Sequence, residues 1–170
     1  VSDCVDLVGE NRAIVNFGLR VLQKNRRPGL KAILAAAQVD ANEINTYHIG
    51  FVIGPRLNAA GRMKHANSAV ELLLEKDPVV LQQLAMELNT TNQQRQSVTS
   101  DMFAKALEQL PKQDPMPYVL VSHQPFEEEM GSWPVGLVGL VAGKVTQKFF
   151  RPTFVIGTSP KGYLGSGRSI

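Results

Sequence analysis

Residues 77–110, DPVVLQQLAMELNTTNQQRQSVTSDMFAKALEQL, set the plan of the whole chain. Asp77-Pro78 is a strong helix start, a capping carboxylate followed by proline at the first helical position, where the missing N–H has no intrahelical partner anyway. Leu81, Leu84, Ala85 and Leu88 recur at helical spacing, and Val98, Met102, Ala106 and Leu110 form a second apolar stripe further along. Between the stripes, Asn89 to Ser97 is polar on every side. A helix that is apolar at both ends and polar all round in its middle joins two bodies. Continuous from Pro78 to Leu110, it would be roughly 50 Å long at ~1.5 Å per residue. Lys112-Gln113-Asp114-Pro115-Met116-Pro117 ends it.

Upstream of this connector the pattern is helical. Ile14, Phe17, Gly18, Val21 and Leu22 predict an amphipathic helix over 10–25, broken by Arg26-Arg27-Pro28-Gly29. Leu30 to Ala37 predicts a second short helix and Glu43 to Ile49 a third. The run from Phe51 to Arg62 is too rich in small residues and turn formers to read as ordinary core, and Asn67 or Ser68 can cap a further helix through Glu75. Downstream the period changes. Tyr118 to Val121 reads as a strand, Leu137 to Phe149 as a helix, Thr153 to Ile156 as a second strand, and Gly162 to Ser166 as a hairpin return. The fold class expected is mixed α/β: a mainly helical lobe, a long connecting helix, then the opening of a small α/β domain.

Length and composition agree with this plan. The chain has 170 residues, 44% of them apolar, enough for one domain or two small ones around a proper core. The longest apolar run, Val135 to Val145, is interrupted by three glycines and a lysine, so no membrane span is expected. The first residues lack the basic start and apolar stretch of a signal peptide, and Cys4 is the only cysteine, which excludes an intrachain disulfide. A cytoplasmic protein is expected. The absence of an initial Met and the glycine-rich last residues give the expectation of an internal piece of a longer protein.

Net charge is +3, unevenly spread: residues 1–66 hold nine Lys/Arg against five Asp/Glu, residues 67–130 four against ten, and residues 131–170 five against none. Two basic lobes around an acidic middle fit a polyanion gripped from two sides, and equally a solvated surface.

Two segments could carry chemistry. In Gly54-Pro55-Arg56-Leu57-Asn58-Ala59-Ala60-Gly61-Arg62 small side chains let a backbone approach closely, while the arginine forks suit phosphate oxygens; the competing reading is a tight packing turn whose arginines pair with nearby acids. In Gly165-Ser166-Gly167-Arg168-Ser169 the glycines allow a backbone nest, and two hydroxyls with a guanidinium could surround a terminal phosphate; the competing reading is a plain turn. Gly136 to Lys144 resembles a phosphate-binding P-loop only superficially, because Val138 stands where its first glycine belongs and Val145 where Ser or Thr should bind magnesium. It reads as a glycine-spaced helix packed tightly on a sheet. His48, His65 and His123 show no metal-site spacing and read as structural or surface residues; Asp3 and Asp6, three apart, could be a helix cap or a fragment of a carboxylate cluster, and taken alone they read as the cap.

Taken in order, these segments resemble the RecJ branch of the DHH phosphoesterase family. The resemblance rests on Gly54 to Arg62, on Val1-Ser2-Asp3 followed by Gly9-Glu10-Asn11-Arg12, and on Asn92-Gln93-Gln94-Arg95-Gln96 of the connector. Trp133 to Lys144, Arg151-Pro152 and Gly165 to Ile170 complete it, resembling the start of the DHH-associated domain. It implies residues 1–76 as the C-terminal part of the phosphoesterase domain, 77–111 as the connector and 112–170 as the N-terminal part of the DHH-associated domain. It further implies an exonuclease that degrades single-stranded DNA from a 5′ end, in DNA repair and recombination, using two Mn2+ or Mg2+ ions that activate water and stabilise charge at phosphorus.

Residue by residue, Asp3 matches a metal ligand, while Arg56, Asn58 and Arg62 match the motif beside the DNA path. Ser166, Gly167 and Arg168 match the pocket for the terminal phosphate. A helicase or a single-strand-binding protein is the implied partner. The chain departs from the family in having no Asp-X-Asp or Asp-His-His segment, and in carrying Trp133-Pro134 where many members have Trp-His. The chain by itself is therefore expected neither to hold the metals nor to cleave DNA. A non-catalytic DNA-binding or scaffold member of the family, and a DHH-type phosphodiesterase for short oligonucleotides, stand as alternatives.

Overall fold

A computed structural model describes residues 1–2, 5–63, 66–112, 115–124, 133–159 and 162–170. Two compact units emerge, Val1–Gln94 and Arg95–Ile170, and the division falls inside the long helix α5 (Pro78–Gln109), within its polar middle. Asp77 caps α5 as its sequence requires, with Oδ1 accepting from the N–H groups of Val79 (2.8 Å) and Val80 (3.2 Å). Leu81, Ala85 and Leu88 of the first stripe are buried, and so are Met102, Ala106 and Leu110 of the second. The middle is less solvated than its composition predicts, because Thr91 and Asn92 are buried too.

In the first unit, α1 (Gly9–Gln23), α2 (Pro28–Ala36), α3 (Gly54–Met63) and α4 (Asn67–Leu74) accompany the start of α5. Their common core is Ile33, Leu34, Ile44, Ile53, Ala60, Leu72, Leu81, Ala85 and Leu88. Each fully buried Leu or Ile there contributes about 1.5–3 kcal/mol by leaving water. α1 turns Leu19 and Leu22 toward this core, whereas Ile14, Phe17 and Val21 of the predicted stripe are exposed. Periodicity found the helix; of its stripe Leu22 packs against the core and Gly18 is half-buried, while no residue of α1 is fully buried.

The helix predicted over Glu43–Ile49 is replaced by a short 3-10 turn, Ala41–Glu43, and a separate helical stretch that starts after Asn45. Asn45 Oδ1 accepts from the N–H of Tyr47 (3.0 Å), so this side chain begins a helix where the residue pattern implied continuity. That stretch passes through a wide π-type turn, His48–Ile53, straight into α3. α4 begins without a side-chain cap, its N-cap position being Ala66 rather than Asn67 or Ser68.

The second unit is an α/β layer. β1 (Leu120–His123), α6 (Val135–Phe149) and β2 (Thr153–Ser159) form a parallel strand–helix–strand unit, and β3 (Gly162–Arg168) runs back antiparallel on β2, giving the order β1-β2-β3. Leu137, Val138, Val141, Ala142 and Val145 of α6 are buried, as are Leu120 and Val155 of the sheet. β1 starts two residues later than its apolar run suggests, since its partners on β2 begin at Thr153 opposite Leu120. Its polar end is held by Gln109, whose Oε1 accepts from Ser122 Oγ (2.6 Å) and the His123 N–H (3.0 Å). Among the described residues no helix is long and apolar enough to cross a membrane.

Candidate nucleic-acid interface

The run from Gly54 to Arg62 is a helix, not a turn, and this decides what its polar residues can do. With 3.6 residues per turn, Asn58 and Arg62 share one face, while Arg56 lies on the opposite one, beside Ala59 and Ala60. Burial agrees: Ala59 and Ala60 are buried, Arg56 is half-buried, and Asn58 and Arg62 are exposed. The alanines expected to lie outside ordinary core are core residues. Arg56 donates from Nε to Asn89 Oδ1 on α5 (3.0 Å) and from Nη1 to the Val52 carbonyl (2.9 Å). Burial pushes its guanidinium below the ordinary value, yet a guanidinium stays charged in a protein. Arg56 thus ties α3 to α5, and Asn58 and Arg62 form the outward polar face. Asn89 was not singled out from sequence; a polar residue in a polar stretch carries no signal of a partner 33 positions away.

The Gly165–Ser169 segment is likewise reshaped. Its backbone is extended through Arg168, paired residue by residue with β2, so neither the nest nor the plain turn forms. The glycines serve close packing instead: a Cβ on Gly167 would stand 2.8 Å from the Phe154 ring. In a strand, alternate side chains share a face. Ser166 and Arg168 therefore lie together, opposite Val155 and Thr153, toward α6. Arg168 Nη1 donates to Ser166 Oγ at 2.8 Å and to the Gly167 carbonyl at 2.8 Å. The pair crosses α6 where that helix has no side chain: a Cβ on Gly139 would lie 3.0 Å from Arg168 Nη2 and 3.1 Å from Ser166 Oγ. Thr146, also on α6, donates from Oγ1 to the Arg168 carbonyl (3.3 Å). The glycine-spaced helix is packed tightly on the sheet, as its spacing implied. The result is an exposed guanidinium next to a hydroxyl, both held in place, an arrangement that can donate several hydrogen bonds to one phosphate.

Pro134 takes the N-cap position of α6, its carbonyl accepting from the Leu137 N–H at 2.8 Å, and Trp133 beside it is buried. The expected metal ligand Asp3 lies outside the described residues, as does His65. Among the described residues no three His, Cys, Asp or Glu come together closely enough to hold an ion, so the residues in view do not fit a two-metal centre. Asp6 does not cap α1, whose N-cap is Val8 with no side-chain bond. His48 Nδ1 accepts from the Asn45 N–H (3.3 Å), a local structural role, and His123 is exposed at the end of β1.

No protein-family model matches the chain. Curated relatives do: it is 37% identical over 172 residues to the single-stranded-DNA-specific exonuclease RecJ of Bacillus subtilis (strain 168), covering 100% of this chain and 21% of that protein. It is 36% identical over 176 residues to the protein of the same name from Escherichia coli (strain K12), covering 100% and 30%. The crystal structure of RecJ from Thermus thermophilus in complex with Mn2+ matches with a TM-score of 0.79 at 29% identity, covering 100% of this chain and 24% of that one. A crystal structure of exonuclease RecJ bound to manganese matches with a TM-score of 0.77 at 31% identity, covering 99% and 40%. The chain spans between 21% and 30% of the length of these two curated relatives. Along its whole length, in sequence and in fold, the chain is similar to one segment of RecJ proteins.

Proposed function

We propose that the chain is the strand-holding segment of a metal-dependent RecJ-type exonuclease that degrades single-stranded DNA from 5′ to 3′. The observation that carries this reading is the Ser166–Arg168 pair laid across Gly139 of α6, in a chain whose relatives bear the name of such an exonuclease. Residues 1–76 then belong to the DHH phosphoesterase domain, 77–111 to its connector and 112–170 to the DHH-associated domain. Mn2+ or Mg2+ is the cofactor, with Asp3 contributing one ligand. Repair and recombination in the cytoplasm are the setting, with a helicase or a single-strand-binding protein supplying the DNA.

The roles divide by chemistry. Ser166 and Arg168, joined through Gly167, hold the 5′-terminal phosphate. Asn58 and Arg62 contact the strand from the outward face of α3, and Arg56 keeps that face in position through Asn89. Because the sequence holds no Asp-X-Asp or Asp-His-His segment, the chain's own part is to bind and orient DNA, and the 170 residues alone bind without cutting. Manganese-dependent digestion by the chain alone would refute that division.

The experiment is Arg168→Ala in a RecJ protein that contains this segment. The result expected is a loss of preference for 5′-phosphorylated over 5′-hydroxyl strands. The size is about 12- to 150-fold, from ~1.5–3 kcal/mol for a charged hydrogen bond and 1.4 kcal/mol per tenfold. Equal losses on both ends would make Arg168 structural.

A further inference from the structure

Lys144 and Lys148 form a second cationic feature in the unit Arg95–Ile170, on another flank of α6. Both are exposed, and four residues apart they share a face of the helix. At ~100° per residue they sit about 140–180° round α6 from Gly139, where Arg168 lies, so the two features are separate. Each ammonium is 5.8 Å from the centre of the Phe103 ring of α5, and Lys148 is also 5.7 Å from the Phe149 ring. Phe103 is half-buried, which fixes its position while leaving part of the ring accessible.

The charge balance is unusual for a surface helix. Two like charges one turn apart repel. An acid on a neighbouring turn would ordinarily answer them, but residues 131–170 contain no Asp or Glu. Across from them, the α5 positions three and four residues either side of Phe103 are Thr99, Ser100, Ala106 and Leu107. The negative face of an aromatic ring attracts ammonium groups and can hold both, yet it neutralises neither. Among the described residues no acid pairs with either lysine, and two point charges on one face match adjacent phosphates of a backbone.

We infer that Lys144 and Lys148, positioned by Phe103, form a phosphate-contact patch that takes neighbouring phosphodiesters of a single DNA strand, separate from the Ser166–Arg168 pair. This inference rests on the single-strand reading above. It predicts a patch that adds affinity along the strand irrespective of sequence and of the chemistry at the 5′ end.

The test compares the 170-residue chain with its Lys144→Gln/Lys148→Gln and Phe103→Leu variants, each first checked for an unchanged circular dichroism spectrum. Binding to a 5′-hydroxyl oligonucleotide is measured by fluorescence anisotropy across a salt series. Each phosphate neutralised on a single strand contributes ~0.7 to the log–log salt slope, so the double lysine variant should lower the slope by about 1.4. Phe103→Leu should weaken binding about two- to fivefold with the slope retained, since the charges remain and only their placement is lost. An oligonucleotide with neutral methylphosphonate linkages should bind the native chain and the double variant alike. An unchanged slope in the double variant, with binding still lost in Arg62→Ala, would overturn the patch and leave the strand-binding reading intact. Displacement of the DNA by polyglutamate at equal charge concentration, only when the lysines are present, would also overturn it in favour of an acidic protein partner. No binding of any single strand by the native chain would sink the strand-binding reading itself.

Discussion

Replacing Gly139 by alanine separates the stability of the second unit from its proposed grip on a 5′-phosphate. The added Cβ would stand 3.0 Å from Arg168 Nη2, 3.1 Å from Ser166 Oγ and 3.6 Å from Arg168 Cζ. These atoms belong to side-chain ends, so the backbone of β3 need not move; the guanidinium shifts by a few tenths of an ångström. Within a helix, alanine is favoured over glycine by up to about 1 kcal/mol, which offsets the crowding. At roughly 2–4 °C per kcal/mol for a chain of this size, Tm should therefore stay level or rise by up to about 4 °C.

The displaced Arg168 is expected to leave its preferred rotamer or its bond to Ser166, at ~0.5–1.5 kcal/mol. That corresponds to about a 2- to 12-fold loss of preference for 5′-phosphorylated over 5′-hydroxyl strands at 1.4 kcal/mol per tenfold. Thermal denaturation by circular dichroism and paired binding titrations with the two oligonucleotides measure both quantities on the same preparation. A Tm lowered by several degrees with the end preference intact would show that the Gly139 contact is only packing, and would remove the structural argument for Ser166 and Arg168 as phosphate ligands.

Two further outcomes follow from the entry to α5. Asp77→Ala removes the acceptor of the Val79 and Val80 N–H groups and should lower stability by about 1 kcal/mol, a drop of roughly 2–4 °C in the same melt, with Asp77→Asn recovering most of it; an unchanged melt would show that α5 starts without its cap. Glu75 accepts from the N–H groups of Asp77 (2.9 Å) and Lys76 (2.6 Å), and these bonds hold its carboxyl below the ordinary range. A folded-state value lowered in this way stabilises the fold at neutral pH and is lost as pH falls through that value. Glu75→Gln should therefore flatten the acid side of a urea-midpoint profile taken from neutral pH to about pH 3, and an unaltered profile would count against a stabilising role for these two bonds.

What the amino-acid sequence determined by itself is the part governed by local rules. Asp77-Pro78 and the two stripes of α5 are legible because capping and a 3.6-residue period involve only near neighbours. The alternation of β1, α6 and β2 is legible for the same reason, and the order of motifs from Gly54 to Arg168 sufficed for the resemblance that the relatives bear out. What only the tertiary structure decided depends on partners distant in the chain. Gly162 to Ser166 is legible as a hairpin return, but the extended backbone continues through Arg168, in place of a nest or turn, because β2 supplies its backbone hydrogen bonds. α1 packs Leu19 and Leu22, both partly buried, against the core and leaves Ile14, Phe17 and Val21 of its stripe exposed, because the core it meets lies on that side. Arg56 is separated from Asn58 and Arg62 because the Gly54–Arg62 run winds as a helix with its alanines inward, and Asn89 waits on α5 for the guanidinium. Spacing in sequence can nominate polar residues, but only the packed fold assigns each one to the inside or to the outside.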